Sequence, residues 1–396
     1  MTEQKTDRRR TSLIGIPVLL RGGTEIQTLH LVRGLQQLGR RTIVCCYHEH
    51  DPAMVDSYRQ AGAEVMLLGL PRTRSMRGIY DVVKVLTETF RILKPDIIHL
   101  QYITPGFLSV VSAWCSRVGK IVISIHYPST MLTWYEKILF KTATHFARVT
   151  IANSLETERS WFGSSALITE NSMLAVMRHG TIYNCIDIKQ IDEILKTWSR
   201  DKGRRGMSLD GFLVLSIIGR LSPEKGHETL FRALRILRDR LKNIVLLIVG
   251  SGDHEESLRL LADDLHIDHL IRWCGAVGHH EIARFLQATD IIIVPSLFEG
   301  FGLAAAEAMA AGVPVIASST GGLPEVIEHE HTGLLVTPGD AEALADAIQL
   351  LAGDQEKRIA YGNAGRRRVE SLFSVERYQT SIQTVYDQLW KGMTDT

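Results

Sequence analysis

The residues with chemistry to offer cluster in two glycine-bounded stretches. One is SLFEGFGLAAAE, residues 296–307, with carboxylates at Glu299 and Glu307 and glycines at Gly300 and Gly302. The other is GRLSPEKG, residues 219–226, with cations at Arg220 and Lys225. A strand-to-helix turn with glycines at the crossing aims free backbone N–H groups and the positive end of a helix dipole at one point. A phosphate suits that point. Two cations on a glycine-bounded loop suit a leaving diphosphate. Carboxylates repel phosphate, so Glu299 and Glu307 are expected to meet hydroxyl groups. A diphosphate with hydroxyls on both sides describes a nucleotide sugar. Each piece also has an ordinary reading, since glycine-rich turns occur throughout α/β proteins and a charged loop is often simply solvated.

The elements that position these residues follow from hydrophobic periodicity. Residues 291–295 are an apolar run closed by Pro295, and residues 303–311 are small, helix-favouring and ended by Gly312. Residues 212–218 form another strand that delivers Gly219 and Arg220 at its carboxyl end. The helix that follows places Leu230, Leu234, Leu237 and Leu241 on one face. A strand over 244–249 leads into Gly250-Ser251-Gly252-Asp253. The first half alternates in the same way, with strands over 13–20, 42–47, 63–68, 96–101, 120–126, 149–153 and 181–183. Gly22 and Gly23 follow the first of these and open a helix that runs to Leu38, while His126 ends the fifth.

Strands separated by helices predict parallel pairing with helices on both faces. The expected fold is α/β, two Rossmann-like doubly wound domains facing a central cleft, with ligands at the carboxyl ends of the strands. The polar, basic stretch 197–211 (TWSRDKGRRGMSLDG) reads as a linker between a domain over 1–196 and one over 212–374. A final helix over 375–396 is free to pack back on the first domain.

A chain of 396 residues suits two or three domains, and 45% hydrophobic with 22% charged residues is the composition of a folded soluble protein. A net charge of +1 gives no argument for nucleic acid. The five scattered cysteines include no C-x-x-C, which points to a reducing, cytoplasmic setting. The start, MTEQKTDRRRTS, lacks a signal-peptide core, and the uncharged stretch 97–116 holds His99, Gln101, Pro105 and Gly106, so it reads as strand, turn and helix.

Taken together, GRLSPEKG, VGSGDHEESL and SLFEGFGLAAAEAMAAGVPVIASSTGGLPEVIEHEHTGLLV resemble the C-terminal half of a retaining nucleotide-sugar glycosyltransferase of family 4, whose fold is the two-domain GT-B type. RGGTEIQTLHLVRGLQQLGRRTIVCCY, KPDIIHLQY, SIHYP and IANS are similar to that family's N-terminal domain, more loosely. The resemblance implies a hexosyltransferase-type enzyme in which Glu299 holds donor-sugar hydroxyls and Glu307 the ribose. It implies that Arg220 and Lys225 neutralise the departing diphosphate. The backbone at Phe301, Gly302 and Leu303 then caps the phosphates, with Gly219, Gly250 and Gly300 bordering the donor. Gly22 and Gly23 line the cleft opposite, and His126 sits near the anomeric carbon. Two departures fall on the acceptor side or the domain junction: Tyr127 follows His126 where the family often has Asp, and Asn184-Cys185 stands where it often has Asn-Gly.

No Asp-x-Asp occurs, and the His-bearing clusters at 48–50, 279–280 and 329–331 lack a second cluster at metal spacing, so neither a metal nor another cofactor is expected beyond the nucleotide sugar as co-substrate. Residues 131–148 carry Trp134, Tyr135 and Phe140 with Lys137, Lys141 and Arg148, which suits either anionic lipid or a helix packed on its own sheet. The reading is a retaining, metal-independent transferase moving a sugar to a hydroxyl acceptor. The rival readings are a nucleotide-sugar epimerase and a non-catalytic nucleotide-sugar-binding subunit.

Overall fold

The computed structural model describes residues 10–394, apart from 74, 103–106 and 175. The polar N-terminal nonapeptide and the turn expected at Pro105-Gly106 therefore lie outside the described residues. The chain forms two compact units, Met1–Tyr183 with Glu376–Thr396, and Asn184–Val375.

The first unit is built on β1 (Thr11–Ile16), β2 (Arg41–Cys46), β3 (Glu64–Leu67), β4 (Ile97–Gln101), β5 (Lys120–Ile125), β6 (Val149–Ala152) and β7 (His179–Thr181). They pair in parallel in the order β3-β2-β1-β4-β5-β6-β7. Alternate residues feed opposite cores, as a period of two requires. Ile14, Ile16, Val44 and Cys46 enter one apolar cluster, while Leu13, Cys45 and Tyr47 enter the other. A sheet buried on both faces explains why these strands read as unbroken apolar runs.

The second unit repeats the scheme with β8 (Leu213–Ile218), β9 (Ile244–Val249), β10 (Ile271–Gly275), β11 (Ile291–Val294), β12 (Val315–Ser318) and β13 (Gly333–Val336). Their order is β10-β9-β8-β11-β12-β13, again all parallel. Leu215, Ile217, Leu246 and Ile248 face one core, and Val214, Val245 and Leu247 face the other. In each sheet the winding reverses once, between β1 and β4 and between β8 and β11. Such a reversal parts the loops above it and leaves a crevice for a ligand.

The stretch 97–116 resolves into β4 and the helix Phe107–Ser116. Among the described residues no helix is long and apolar enough to cross a membrane. The helix Val375–Thr394 belongs to the first unit, where it buries Ile382, Val385, Tyr386, Leu389 and Trp390 beside Ile14 and Val32. Its Tyr386 hydroxyl lies 2.8 Å from His99 Nδ1, and Lys120 Nζ donates to Leu389 O at 2.6 Å.

The linker expected over 197–211 is corrected. Arg200–Gly206 is a helix of the second unit, capped by Ser199, whose hydroxyl accepts from Lys202 N. Two of its arginines are tied down: Arg200, partly exposed, and Arg204, largely buried, both clamp Asp290, and Arg204 also donates to the carbonyls of Leu209 and Phe212. The units divide instead at Tyr183/Asn184 and at Val375/Glu376. Those crossings run side by side, since Ile186 N donates to Phe373 O at 2.8 Å. Asn184-Cys185, the departure noted above, thus opens the second unit, and the nearby Asp187 caps the helix Ile188–Thr197 by accepting from Gln190 N.

Candidate active site

The loops after β8 and β11 bring Lys225 and Glu299 together at the switch point of the second sheet. Gly219 directly follows β8, and Gly250 directly follows β9. Between Gly219 and Gly226 the chain runs through the short 3-10 turn Pro223–Lys225. Gly226 then turns with φ 70°, and a Cβ there would lie 1.9 Å from Pro295 O, so only glycine lets this loop lie against the end of β11. Leu297 N donates to Glu224 O at 2.8 Å, which joins the two loops through their backbones.

That junction aligns Lys225 and Glu299. Lys225 Nζ donates to Glu299 Oε2 at 2.8 Å, and Ser296 Oγ donates to the same oxygen at 3.2 Å. The Glu299 carbonyl is fixed in turn. Gly322 N donates to it at 3.3 Å, and Gly321, at φ 53°, approaches so closely that a Cβ would stand 1.7 Å from it. Arg220 is exposed on the same loop. Burial pushes the Glu224 carboxyl up, but the Ser222 hydroxyl, its own backbone N–H and the charges of Arg220 and Lys225 outweigh burial and hold it below the ordinary carboxylate range. Glu224 is thus the anionic counterweight of the cationic loop, its side chain accepting from Ser222 Oγ at 2.6 Å.

Gly302 is the N-cap of the helix Leu303–Ala310 and has no side chain with which to cap it. The first N–H groups of that helix are therefore directed at whatever lies before it. Phe301 sends its ring away, edge-on to Phe373 with centroids 5.3 Å apart, so it is the backbone at 301–303 that faces the loop. Glu307 is half-buried in the middle of this helix, two turns from Glu299 in sequence.

In the first unit the candidate residues lie after the carboxyl ends of β1 and β5. Gly22 caps the helix Gly23–Gln37, whose first turn carries the buried Glu25. His126 follows β5, its Nε2 2.9 Å from Gln101 Oε1 at the end of β4 and its ring 5.5 Å from that of Tyr102. Asn153 Nδ2 donates to His126 O, and Trp161 Nε1 donates to Tyr127 O, so the His126-Tyr127 peptide is pinned from two sides. Burial pushes the His126 imidazole down to about 4, which keeps it neutral at physiological pH.

Sequence reasoning passed over the residues that support the named ones. Ser296, Gly321 and Glu224 hold Glu299 and Lys225, and Gln101 orients His126. The usable signals were faint: a serine at a strand exit and a Gly-Gly pair after β12. Among the described residues no group of three His, Cys, Asp or Glu side chains is placed to hold a metal ion.

The sequence profile of Glycosyl transferases group 1 matches residues 201–368, and that of Glycosyltransferase Family 4 matches residues 21–162. The chain belongs to the family 4 glycosyltransferases. It is 32% identical to an uncharacterized glycosyltransferase of Methanocaldococcus jannaschii over 52% of this chain and 53% of that one. It is 36% identical to a D-inositol 3-phosphate glycosyltransferase of Pseudarthrobacter chlorophenolicus over 53% of this chain and 52% of that one. It is 38% identical to a GDP-mannose-dependent alpha-(1-6)-phosphatidylinositol monomannoside mannosyltransferase of Mycobacterium tuberculosis over 38% and 41%. The matches span about half the length of these relatives, or less. Among solved structures, Anabaena HepE in complex with UDP and glucose superposes with a TM-score of 0.80 at 20% identity, covering 95% of this chain and 99% of that one. Sucrose-phosphate synthase from Thermosynechococcus elongatus gives 0.78 at 23% identity over 97% and 100%. The fold is GT-B, as the resemblance implies.

Proposed function

We propose that this protein transfers a sugar from a nucleoside diphosphate sugar to a hydroxyl acceptor, with retention at the anomeric carbon and without a metal ion. The observation that carries the reading is the contact of Lys225 with Glu299 before the uncapped start of the helix Leu303–Ala310. A cation, a carboxylate and a helix N-terminus converge there, which matches a diphosphate joined to a polyhydroxyl group. The sugar–oxygen bond to the diphosphate breaks as the acceptor oxygen bonds to the anomeric carbon on the same face. The acceptor proton passes to the departing phosphate oxygen. Negative charge grows on the diphosphate, and Arg220, Lys225 and the helix dipole stabilise it. Glu299 orients sugar hydroxyls and Glu307 the ribose. The names of the relatives, among them an inositol phosphate glycosyltransferase and a mannosyltransferase, support sugar transfer, and HepE, crystallised with UDP and glucose, supports a nucleotide donor.

Metal independence rests on the missing Asp-x-Asp and on the cationic loop that takes its place. The test is a thermal-shift screen of nucleoside diphosphate sugars in chelator. It is followed by NMR of the product formed from the best stabiliser and a polyol acceptor panel. Transfer with the donor's anomeric configuration is expected. An inverted product, or turnover that returns only with magnesium or manganese, overturns the corresponding part of the proposal.

A further inference from the structure

Gln101 is the last residue of β4, one of the two strands between which the first sheet reverses. A glutamine in a parallel strand covered on both faces needs a reason, because its amide must be bonded where water is excluded. Gln101 is 3% exposed. Its partner in register is Ser124 of β5, and His126 stands two residues further along that path. A period of two puts Gln101, Ser124 and His126 on one face, so the glutamine side chain reaches forward to the imidazole. Gln101 Oε1 meets His126 Nε2 at 2.9 Å. An amide oxygen only accepts, so Nε2 carries the ring proton and donates, and Nδ1 carries the lone pair. Among the described residues no group bonds Nδ1.

The histidine is held from other sides as well. Asn153, 5% exposed just after β6, donates from Nδ2 to His126 O at 3.1 Å. Its amide is turned the one way this allows, since the opposite setting would face two oxygens. Tyr102 lays its ring 5.5 Å from the imidazole at 60°. It does so with φ 61°, a left-handed backbone that non-glycine residues enter at a cost. Such outliers mark places where the surrounding structure holds a side chain for function. The titratable groups about His126 are the Tyr102 phenol and His99, which is itself 2.8 Å from both Ser124 Oγ and Tyr386 Oη. Burial pushes the His126 ring down to about 4 and, with the charge of His126, the His99 ring down to about 3. Both are therefore neutral near pH 7, and among the described residues no carboxylate bonds either ring.

We propose that Gln101 is a positioning residue for sugar transfer: it fixes the Nε2–H tautomer of His126 and leaves Nδ1 to accept a hydrogen bond from a substrate hydroxyl. The inference rests on the function proposed above and adds the residue that sets the polarity of the histidine. An acceptor nitrogen favours a hydroxyl and disfavours the oxygens of a phosphate or carboxylate, so the group met at Nδ1 belongs to a sugar or polyol. Gln101 itself touches no substrate in this scheme.

The experiment compares the unaltered chain with Gln101→Leu and Gln101→Glu, using spectra of nitrogen-labelled histidine and transfer kinetics from pH 5 to 8. The His126 signals are those that His126→Asn lacks. The unaltered chain should show a protonated Nε2 and a bare Nδ1 at this ring. Gln101→Leu should populate the Nδ1–H tautomer and lower kcat by roughly tenfold or more, with the Kd for free nucleoside diphosphate unchanged. Gln101→Glu keeps an acceptor for Nε2–H, but its carboxylate also favours the imidazolium, in which Nδ1 is a donor. That variant should be impaired near pH 5 and recover towards the unaltered rate near pH 8, a profile that a packing role would not produce. An Nδ1–H ring in the unaltered chain overturns the inference, as does Gln101→Leu with unchanged kcat and KM. If Gln101→Leu folds poorly, Gln101→Glu decides it, and a pH profile parallel to the unaltered chain's overturns it. Absent turnover of every donor by the unaltered chain removes the proposed function and this inference together, whereas the wrong tautomer in an active chain removes the inference alone.

Discussion

Lys225 Nζ lies 2.8 Å from Glu299 Oε2, although the two residues are 74 positions apart and sit on loops leaving different strands. Taken singly, the lysine suits a diphosphate and the glutamate suits sugar hydroxyls. Paired, each also sets the position of the other. Both side chains are more than two-thirds buried, so the pair is less screened than a surface ion pair. The lysine neutralises the carboxylate that would otherwise repel an incoming phosphate. The carboxylate, in turn, keeps the ammonium at the mouth of the loop, where the proposed reaction would develop leaving-group charge.

A double-mutant cycle on Lys225→Ala and Glu299→Ala should therefore be non-additive. Each single change removes its own contact with the donor and also strands its partner. The double variant should be less impaired in kcat/KM than the product of the two single losses, by a coupling of about 1–3 kcal/mol, or roughly five- to a hundredfold. Strict additivity would show that the two residues act separately.

Arg220 is exposed and, among the described residues, has no ion pair like that of Lys225 with Glu299, so its loss should act mainly on the leaving group. A charge-assisted hydrogen bond contributes about 1.5–3 kcal/mol, which is roughly ten- to a few-hundredfold in rate. Arg220→Ala should lower kcat by that factor and change KM little, because in the proposed site the helix N-terminus after Gly302 would also hold the ground-state diphosphate. Arg220→Lys should restore part of it, since a point charge lacks the planar fork. A variant with unaltered kcat and a raised KM would make Arg220 a binding clamp.

The fold was largely legible because parallel strands buried on both faces appear as apolar runs, and Gly219, Gly226 and Gly302 punctuate them where the loops must turn. The residue types of the candidate donor site were legible for the same reason, since they lie in those loops. Their pairing was not. It depends on β8 lying beside β11, and strand order has no local signature. The misread linker has a similar cause: Arg200 and Arg204 look solvated until Asp290, about 90 residues later, is folded beneath them. Gln101 escaped notice because its role is defined only by the histidine that follows β5.

The two glutamates of the β11 loop and helix should separate by ligand. Glu307→Ala is expected to weaken both free nucleoside diphosphate and the intact donor, because the ribose is common to them. Glu299→Ala should spare the nucleoside diphosphate and weaken the donor. Titration calorimetry with both ligands decides it, and equal losses for both ligands in both variants would remove the assignment.

The last prediction concerns acid stability and His227, the first residue of the helix His227–Arg240. Its side chain is buried, and neither ring nitrogen has a hydrogen-bond partner among the described residues. Burial, followed by the nearby charges of His254 and Lys225, pushes the imidazole down to about 4 against a smaller opposing effect of Glu224. The sign follows from proton uptake. Between about pH 6.5 and 4 the unfolded chain binds a proton at this residue and the folded chain does not, so stability falls as pH falls through that window. Below about pH 4 both states are protonated and the contribution is fully lost. The shift corresponds to a loss on the order of 3 kcal/mol. His99, held near 3 by burial and by His126, adds acid sensitivity over the same range, so one substitution cannot flatten the curve completely. His227→Met fills a similar volume, removes two unsatisfied nitrogens and deletes one titration. The variant should be more stable at neutral pH by about 1–3 kcal/mol, the cost of burying such groups unpaired. It should also lose stability less steeply from pH 6.5 to 4. Denaturant unfolding at pH 7, 6, 5 and 4 measures both effects, and a variant whose slope matches the parent's would mean that His227 is not the titrating group.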